Sequence, residues 1–223
     1  MPEKPDRALR RARLARVAGI YPLADDDPRW RHDVETVVDA VTGVGVSVVQ
    51  LRIKHLRDGE ALALARRCKK LCEQRDVLLF VNDRFDLAVL AAADGVHVGT
   101  DDCPPEKIPA DVRAQLLVGL STHTLEQVRA ANQRPVDCIG FGPVFGTASK
   151  QSEYSARGLD QLTQAARESA HPVVAIGGIG LAQASAVAAS GASGAAVISA
   201  ISQAENPAEA TRELQGAFNQ AKP

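Results

Sequence analysis

The stretch GVSVVQLRIK, residues 45–54, carries two interleaved rows of side chains. Val46, Val48, Val49, Leu51 and Ile53 give it strand propensity, and the one-sided apolar stripe a helix would need is missing. Side chains two apart on a strand share a face. Gln50, Arg52 and Lys54 therefore point one way while Val49, Leu51 and Ile53 point the other. On an ordinary two-layer strand the polar row would face water. In a closed barrel the same row sits inside the mouth, with the apolar row packed under surrounding helices, and two fixed cations beside an amide then form a receptor for a polyanion. The rest of the chain decides between these arrangements.

That chain follows one rhythm. Strands are predicted over 20–24, 46–54, 77–81, 95–98, 116–119, 138–141, 173–176 and 195–199. Helical stretches follow them over 33–42, 58–72, 85–92, 104–114, 125–132, 159–168, 181–190 and 207–218, with Pro104 and Pro105 suited to a first helical turn. Eight strand–helix units in about 200 residues are the pattern of a (β/α)8 TIM barrel, an α/β fold, read here as one domain over residues 19–220. A doubly wound open sheet would spend fewer strands, and no G-x-G-x-x-G stands between the first strand and helix. Residues 1–18 carry Lys4, Arg7, Arg10, Arg11, Arg13 and Arg16 and read as a basic amino-terminal segment, a short surface helix or a tail.

Composition narrows the function classes. With 223 residues and a formal charge of −1 there is no global basic field to attract a nucleic acid, and one Trp, two Tyr and five Phe make a poor base-stacking surface. Four cysteines in a chain this long are no disulfide framework. Cys68 and Cys72 share a helical face and fit two small buried side chains better than a soft-metal site. Neither a secretory segment nor an 18-residue apolar span occurs, so the expectation is a cytoplasmic protein with no membrane partner. Oligomeric state is open; a homodimer suits a barrel of this size.

In a barrel the active site lies at the carboxyl ends of the strands. Those positions hold Gln50, Arg52 and Lys54, then Asn82, Asp83 and Arg84, then the run His97–Asp102. Ser121–Thr124 close the fifth strand, GPVFGTASK (142–150) the sixth, Gly177 and Gly178 the seventh, and Ser199 the eighth. Asp83 and Asp102 can each give one oxygen to Mg2+, leaving water and substrate to complete its octahedron. The alternatives are a salt bridge from Asp83 to Arg84 and helix capping by Asp101 or Asp102. Thr124 can cap the helix after the fifth strand. Thr147 and Lys150 supply a hydroxyl and an ammonium able to wrap a phosphate, in a segment polar enough to act as a lid. The paired glycines let backbone N–H groups approach an anion, as the last two loops of many barrels do. Two anion sites in one mouth fit a transferase acting on two phosphorylated small molecules, whereas an isomerase would need one phosphate site and a clear base pair.

The segments GIYPLAD (19–25), VVQLRIK (48–54), VNDRFDLA (81–88), DGVHVGTDD (94–102), GLSTHT (119–124), IGFGPVFGTASK (139–150), AIGGI (175–179) and GAAVISAIS (194–202) together resemble the thiamine phosphate synthases, also called thiamine-phosphate pyrophosphorylases. The resemblance implies condensation of 4-amino-2-methyl-5-hydroxymethylpyrimidine diphosphate with a thiazole monophosphate, carboxylated or not, to give thiamine phosphate and diphosphate. It implies a dissociative path through a pyrimidine methyl cation, needing no general base. By resemblance Gln50, Arg52, Lys54, Asn82, Ser121 and Lys150 bind the pyrimidine diphosphate, with Arg52, Lys54, Ser121 and Lys150 serving the departing group. Asp83 and Asp102 hold Mg2+, and Thr147, Gly178, Val197, Ile198 and Ser199 surround the thiazole phosphate. The family usually has Gln-Glu-Asp where this chain has Thr100-Asp101-Asp102, which keeps the metal-matching aspartate. A thiazole tautomerase-like enzyme and a catalytically silent thiamine-phosphate binder are the rival expectations.

Overall fold

Along β2 (Val48–Arg52) the two rows read from the sequence face opposite layers. Val49 and Leu51 are buried in an outer core shared with the helices, while Val48 joins Tyr21, Leu78, Phe80, Leu117, Cys138 and Val174 in a separate core inside the barrel. The computed structural model describes residues 7–146 and 154–221. On either side of β2 lie β1 (Gly19–Asp25) and β3 (Leu78–Asn82), and the parallel series continues through β4 (Gly95–Val98), β5 (Leu117–Thr122), β6 (Cys138–Phe141), β7 (Val173–Ala175) and β8 (Gly194–Val197). Pairing of β8 with β1 closes the barrel. The strands are short and apolar on both faces because both faces are covered.

The helices follow from local signals. Asp33 caps α2 (Val34–Thr42) by accepting from the Thr36 amide at 2.7 Å. Thr124 caps α6 (Leu125–Ala131) through the Gln127 amide at 3.2 Å, as its position predicts. Asn206 accepts from Ala208 and Glu209 to open α10 (Pro207–Gln220), whose first residue is a proline. Between them run α3 (Asp58–Gln74), α4 (Phe85–Leu90), α5 (Ala110–Gln115), α7 (Gly158–Glu168), α8 (Leu181–Ala189) and α9 (Ser199–Ser202). Cys68 and Cys72 are fully buried on α3, and burial pushes each thiol up to about 12. Among the described residues no helix is long and apolar enough to cross a membrane.

Several boundaries differ from the sequence expectation: β5 runs on to Thr122 rather than ending at 119, and the helix expected over 104–114 is a 3-10 turn over Pro105–Lys107 followed by α5. β2 stops at Arg52 rather than running to Lys54, because the Asp26 carboxylate gathers the amides of Lys54, His55 and Leu56 at 2.7, 2.8 and 3.0 Å and turns the chain out of the sheet. β8 stops at Val197, and the chain winds directly into α9.

The basic amino-terminal segment is used structurally. Its helix α1 (Arg7–Ala15) lies against the amino-terminal end of the barrel, where Val17 and Leu14 close the inner core. Arg10 grips Asp137 with two bonds, at 2.9 and 2.6 Å, and also donates to the Leu116 carbonyl at 3.0 Å. Arg13 donates to the Asp94 carbonyl at 2.7 Å, and Arg16 pairs with Asp76 at 3.1 Å. These arginines, two on α1 and one in the turn that follows it, meet aspartates in the loops that precede β6, β4 and β3. Removing a bidentate guanidinium from a half-buried carboxylate costs about 1–3 kcal/mol. Arg10→Ala is therefore expected to lower stability by that amount in urea unfolding, with turnover unchanged, because the catalytic mouth is at the other end.

Candidate active site

At the carboxyl ends of the strands the inward-facing side chains enclose a cavity of about 400 Å3. Gln50 and Arg52 line one wall, Asn82 and Ser121 the next, and Gly178, Ile198 and Ser199 the wall opposite. The register of the strands produces this, since Asp25 lies beside Arg52, Asn82 beside His97 and Ser121 beside Gly140.

The polar groups on β1 and β2 are held in place. Arg52 Nη1 donates to Asp25 Oδ2 at 2.8 Å, and the Asp25 side chain is wholly buried. Asp25 Oδ1 accepts from the Asp27 amide at 3.0 Å, so the carboxylate cannot swing away from Arg52. Gln50 is buried and donates from Nε2 to the Tyr21 hydroxyl at 3.1 Å. Burial drives the Tyr21 phenol well above its usual pKa, so it meets Gln50 as a neutral hydroxyl.

At the rim the Lys54 ammonium bonds the Asp83 carboxylate. Asp83 also lies within hydrogen-bonding reach of Asp102. Burial and the Asp102 carboxylate raise the Asp83 pKa, and the Lys54 ammonium only partly offsets them. Asp83 holds a φ of +65°, a left-handed conformation that asparagine and aspartate tolerate best, and its amide donates to the His97 carbonyl at 2.7 Å. Asp102 Oδ2 accepts from the Gly99 amide at 2.6 Å instead of capping the following turn, whose N-cap Pro104 makes no side-chain cap bond. The salt bridge considered between Asp83 and Arg84 does not form; Arg84 pairs with Asp58 and Asp86. Two adjacent carboxylates, one resisting ionisation because of the other, are a donor set suited to a hard divalent cation. Among the described residues no group of three or more His, Cys, Asp or Glu gathers into a metal cluster.

Ser121 Oγ lies 3.0 Å from His97 Nε2. The His97 ring extends across β5 and β6, which it can do because Gly119 and Gly140 face it. A Cβ on Gly119 would fall 2.4 Å from His97 Nδ1, well inside contact distance. Gly119→Ala is thus expected to displace the imidazole and with it Ser121. A shift of this size at a reacting centre lowers turnover by about ten- to a hundredfold, to be read in steady-state kinetics with the melting temperature as control.

On the far wall Gly178 has a φ of +67°, and a Cβ there would meet the Gly146 carbonyl at 2.3 Å. Bonds from the Val144 and Phe145 amides to Ile176 and Gly177 (2.8 and 3.1 Å) zip the loop after β6 onto the loop after β7, which leaves only glycine room. Ile198 and Ser199 line the cavity, but the Val197 side chain turns outward into the helix-facing core, so only its main chain is available to the mouth. Thr147 and Lys150 lie outside the described residues.

Several cavity-lining groups escape a reading by sequence. Tyr21 occupies an inward position of β1, a signal present in the alternation once the strand register is fixed, and His97, which stands among the strand-end positions in the sequence, faces inward from β4. His123, for which the sequence offers no acidic partner, places Nδ1 2.6 Å from the Gly142 carbonyl and stacks on Tyr154 at 4.1 Å between ring centroids. Nothing local marks Tyr154 as a wall of the site.

This geometry has close relatives. The profile of the family described as thiamine monophosphate synthase matches residues 20–201. The thiamine-phosphate synthase of Anaeromyxobacter dehalogenans (strain 2CP-C) is 42% identical over 206 residues, covering 92% of this chain and 90% of the relative. That of Myxococcus xanthus (strain DK1622) is 40% identical over 204 residues, covering 92% and 94%. Against a thiamine-phosphate synthase of Synechococcus sp. (strain CC9311), 40% identical, the chain spans 59% of the relative's length. The solved thiamine phosphate pyrophosphorylase from Pyrococcus furiosus superposes with a TM-score of 0.84 at 33% identity, over 94% of this chain and 98% of that one. A 3-hexulose-6-phosphate synthase from Salmonella typhimurium, at 19% identity and a TM-score of 0.69, shares the barrel alone. With a family profile spanning most of its length and relatives at this identity, the chain belongs to the thiamine monophosphate synthase family.

Proposed function

We propose that the protein condenses 4-amino-2-methyl-5-hydroxymethylpyrimidine diphosphate with a thiazole monophosphate, forming thiamine phosphate and releasing diphosphate. The observation that carries this reading is the convergence in one mouth of Arg52, the Lys54–Asp83–Asp102 cluster and, opposite them, the Gly178 and Ser199 wall. Cations and carboxylates on one side suit a metal-bound diphosphate; the neutral wall suits the second substrate.

In this reading Arg52, held by Asp25, and Lys54 absorb charge as diphosphate departs, together with Lys150. Gln50, Asn82 and Ser121 orient the pyrimidine half. Thr147, Gly178, Ile198, Ser199 and the main chain at Val197 seat the thiazole phosphate so that its ring nitrogen faces the methylene carbon. Asp83 and Asp102 would hold Mg2+, which when bound neutralises charge on the leaving diphosphate. The C–O bond breaks with its electron pair leaving on diphosphate, and the thiazole nitrogen lone pair forms the new C–N bond. No proton need be abstracted in this step; the histidines of the mouth contact Ser121 Oγ and the Gly142 carbonyl. The enzyme's contribution is alignment and fixed charge. We place it in the cytoplasm, where free thiols such as Cys103 stay reduced.

The test is incubation of the purified protein with both substrates and Mg2+, following diphosphate and thiamine phosphate by 31P NMR. Stoichiometric appearance of both is expected. Conversion of a thiazole phosphate isomer without the pyrimidine would reassign the chain to a tautomerase, and product binding without turnover would make it a silent binder.

A further inference from the structure

A second cavity, of about 430 Å3, opens beside the mouth between the loop after β1 and the loops after β7 and β8. It shares Gly178, Ile179 and Ser199 with the mouth, so the two spaces meet at the wall assigned above to the thiazole phosphate. Among the described residues lining it, Arg29 alone carries a charge.

Arg29 is pre-set by its own loop. Asp27 accepts the Arg29 amide at 3.0 Å and the Arg29 Nη2 at 2.9 Å, and the guanidinium lies over the Trp30 ring at 4.8 Å. The Asp27 amide in turn bonds Asp25, the partner of Arg52. One loop thus fixes a cation on each side of the mouth.

The charge count shows why the second one matters. A phosphate monoester carries about −1.5 to −2 charges at pH 7. Gly178 and Ser199 are uncharged, and Arg52 and Lys54 lie on the diphosphate side; like Arg29 with Asp27, each is oriented by a carboxylate. A dianion bound at the far wall needs its own counter-charge in a site partly withdrawn from water. A half-exposed guanidinium tethered at the edge of that wall supplies it, and its planar fork matches phosphate oxygens.

We propose that Arg29 is a specificity-determining residue, whose guanidinium binds the phosphate of the thiazole substrate and selects it over the unphosphorylated alcohol. This rests on the synthase reading above. The experiment compares wild type with Arg29→Gln and Arg29→Lys, varying thiazole phosphate, the thiazole alcohol and the pyrimidine diphosphate in turn. A charged hydrogen bond of the usual strength predicts a rise in KM for thiazole phosphate of about tenfold or more in Arg29→Gln. That rise should exceed any change in kcat, with partial recovery in Arg29→Lys. KM for the pyrimidine diphosphate should stay within about twofold, and reaction of the alcohol should be insensitive to the substitution. Inorganic phosphate should compete with thiazole phosphate more weakly in Arg29→Gln than in wild type.

If wild type turns over and Arg29→Gln shows an unchanged KM for thiazole phosphate, or equal losses with phosphate and alcohol, the Arg29 assignment is overturned while the synthase reading stands. A loss confined to the carboxylated thiazole would overturn it too, by making the ring carboxylate the group recognised. No turnover by wild type would overturn the synthase reading itself and this assignment with it.

Discussion

Arg52→Gln should release diphosphate about 10²–10³ times more slowly than wild type at saturating substrates, the usual loss when one preorganised donor to a developing charge is removed. Arg52 is mostly buried and fixed at 2.8 Å on a carboxylate with no exposure, so it reaches the leaving group without reorganising. The same burial complicates the experiment. Stripping one partner from a buried pair leaves Asp25 uncompensated and can cost about 3–5 kcal/mol of stability, so lost activity could be lost fold. Asp25→Asn combined with Arg52→Gln separates the two. The double variant removes the stranded charge and should recover most of the melting temperature lost by Arg52→Gln. Its diphosphate release, followed by 31P NMR in single turnover, should stay as slow as that of the single variant. A release rate within about threefold of wild type in either protein would take Arg52 out of the leaving-group chemistry.

What the sequence makes legible divides along physical lines. The barrel was legible because its evidence is periodic: alternation in residues 45–54 and eight apolar runs separated by helical stretches survive errors of a few residues at any boundary. The placement of Gln50 and Arg52 in the mouth follows from that alternation once the eightfold rhythm of the chain makes the sheet a barrel. Contacts that depend on two distant strands were not legible. Asp25 sits in an acidic run, Asp25–Asp27, that reads as a solvated turn, and only the β1–β2 register shows that it faces Arg52. Arg29 was hidden in the same way. The run AAVIS (195–199) has strand composition to its end, so the turn into α9 at Ser199 was invisible to propensity. The resemblance puts Val197 in the site, and the two-residue period between Ala196 and Ile198 turns its side chain outward and leaves its main chain toward the mouth. The basic helix at the amino terminus looked like surface because its partners, Asp76, Asp94 and Asp137, lie far along the chain.

Asp83→Asn tests the other half of the leaving-group apparatus, and it should move activity and stability in opposite directions. The rate of transfer is expected to fall by about a thousandfold, because losing one of two carboxylates weakens the hold on a cation worth several kcal/mol to a departing diphosphate. Stability of the metal-free protein should rise. Burial and the neighbouring Asp102 raise the Asp83 pKa in the folded state, so the folded protein holds this proton more tightly than the unfolded chain does. The charge on Asp83 therefore opposes folding above its folded-state pKa, and that opposition fades as pH falls through it. Asparagine keeps the shape without the charge; although Lys54 loses its anionic partner, the net upward shift means that the neutral side chain is the better tolerated. Metal-free Asp83→Asn should melt above metal-free wild type at pH 7, and the gap should narrow as pH falls through the raised folded-state pKa and the wild-type carboxyl takes up its proton. With Mg2+ and diphosphate added, wild type should gain melting temperature by mass action while the variant gains little, shrinking or reversing the gap. Calorimetric titration with Mg2+ in the presence of diphosphate gives an independent reading: heat of binding for wild type, close to none for Asp83→Asn. A metal-free variant that melts below wild type at pH 7 would mean that the Lys54 ion pair outweighs the crowding of the two carboxylates. Unchanged Mg2+ binding would mean that Asp83 is no ligand.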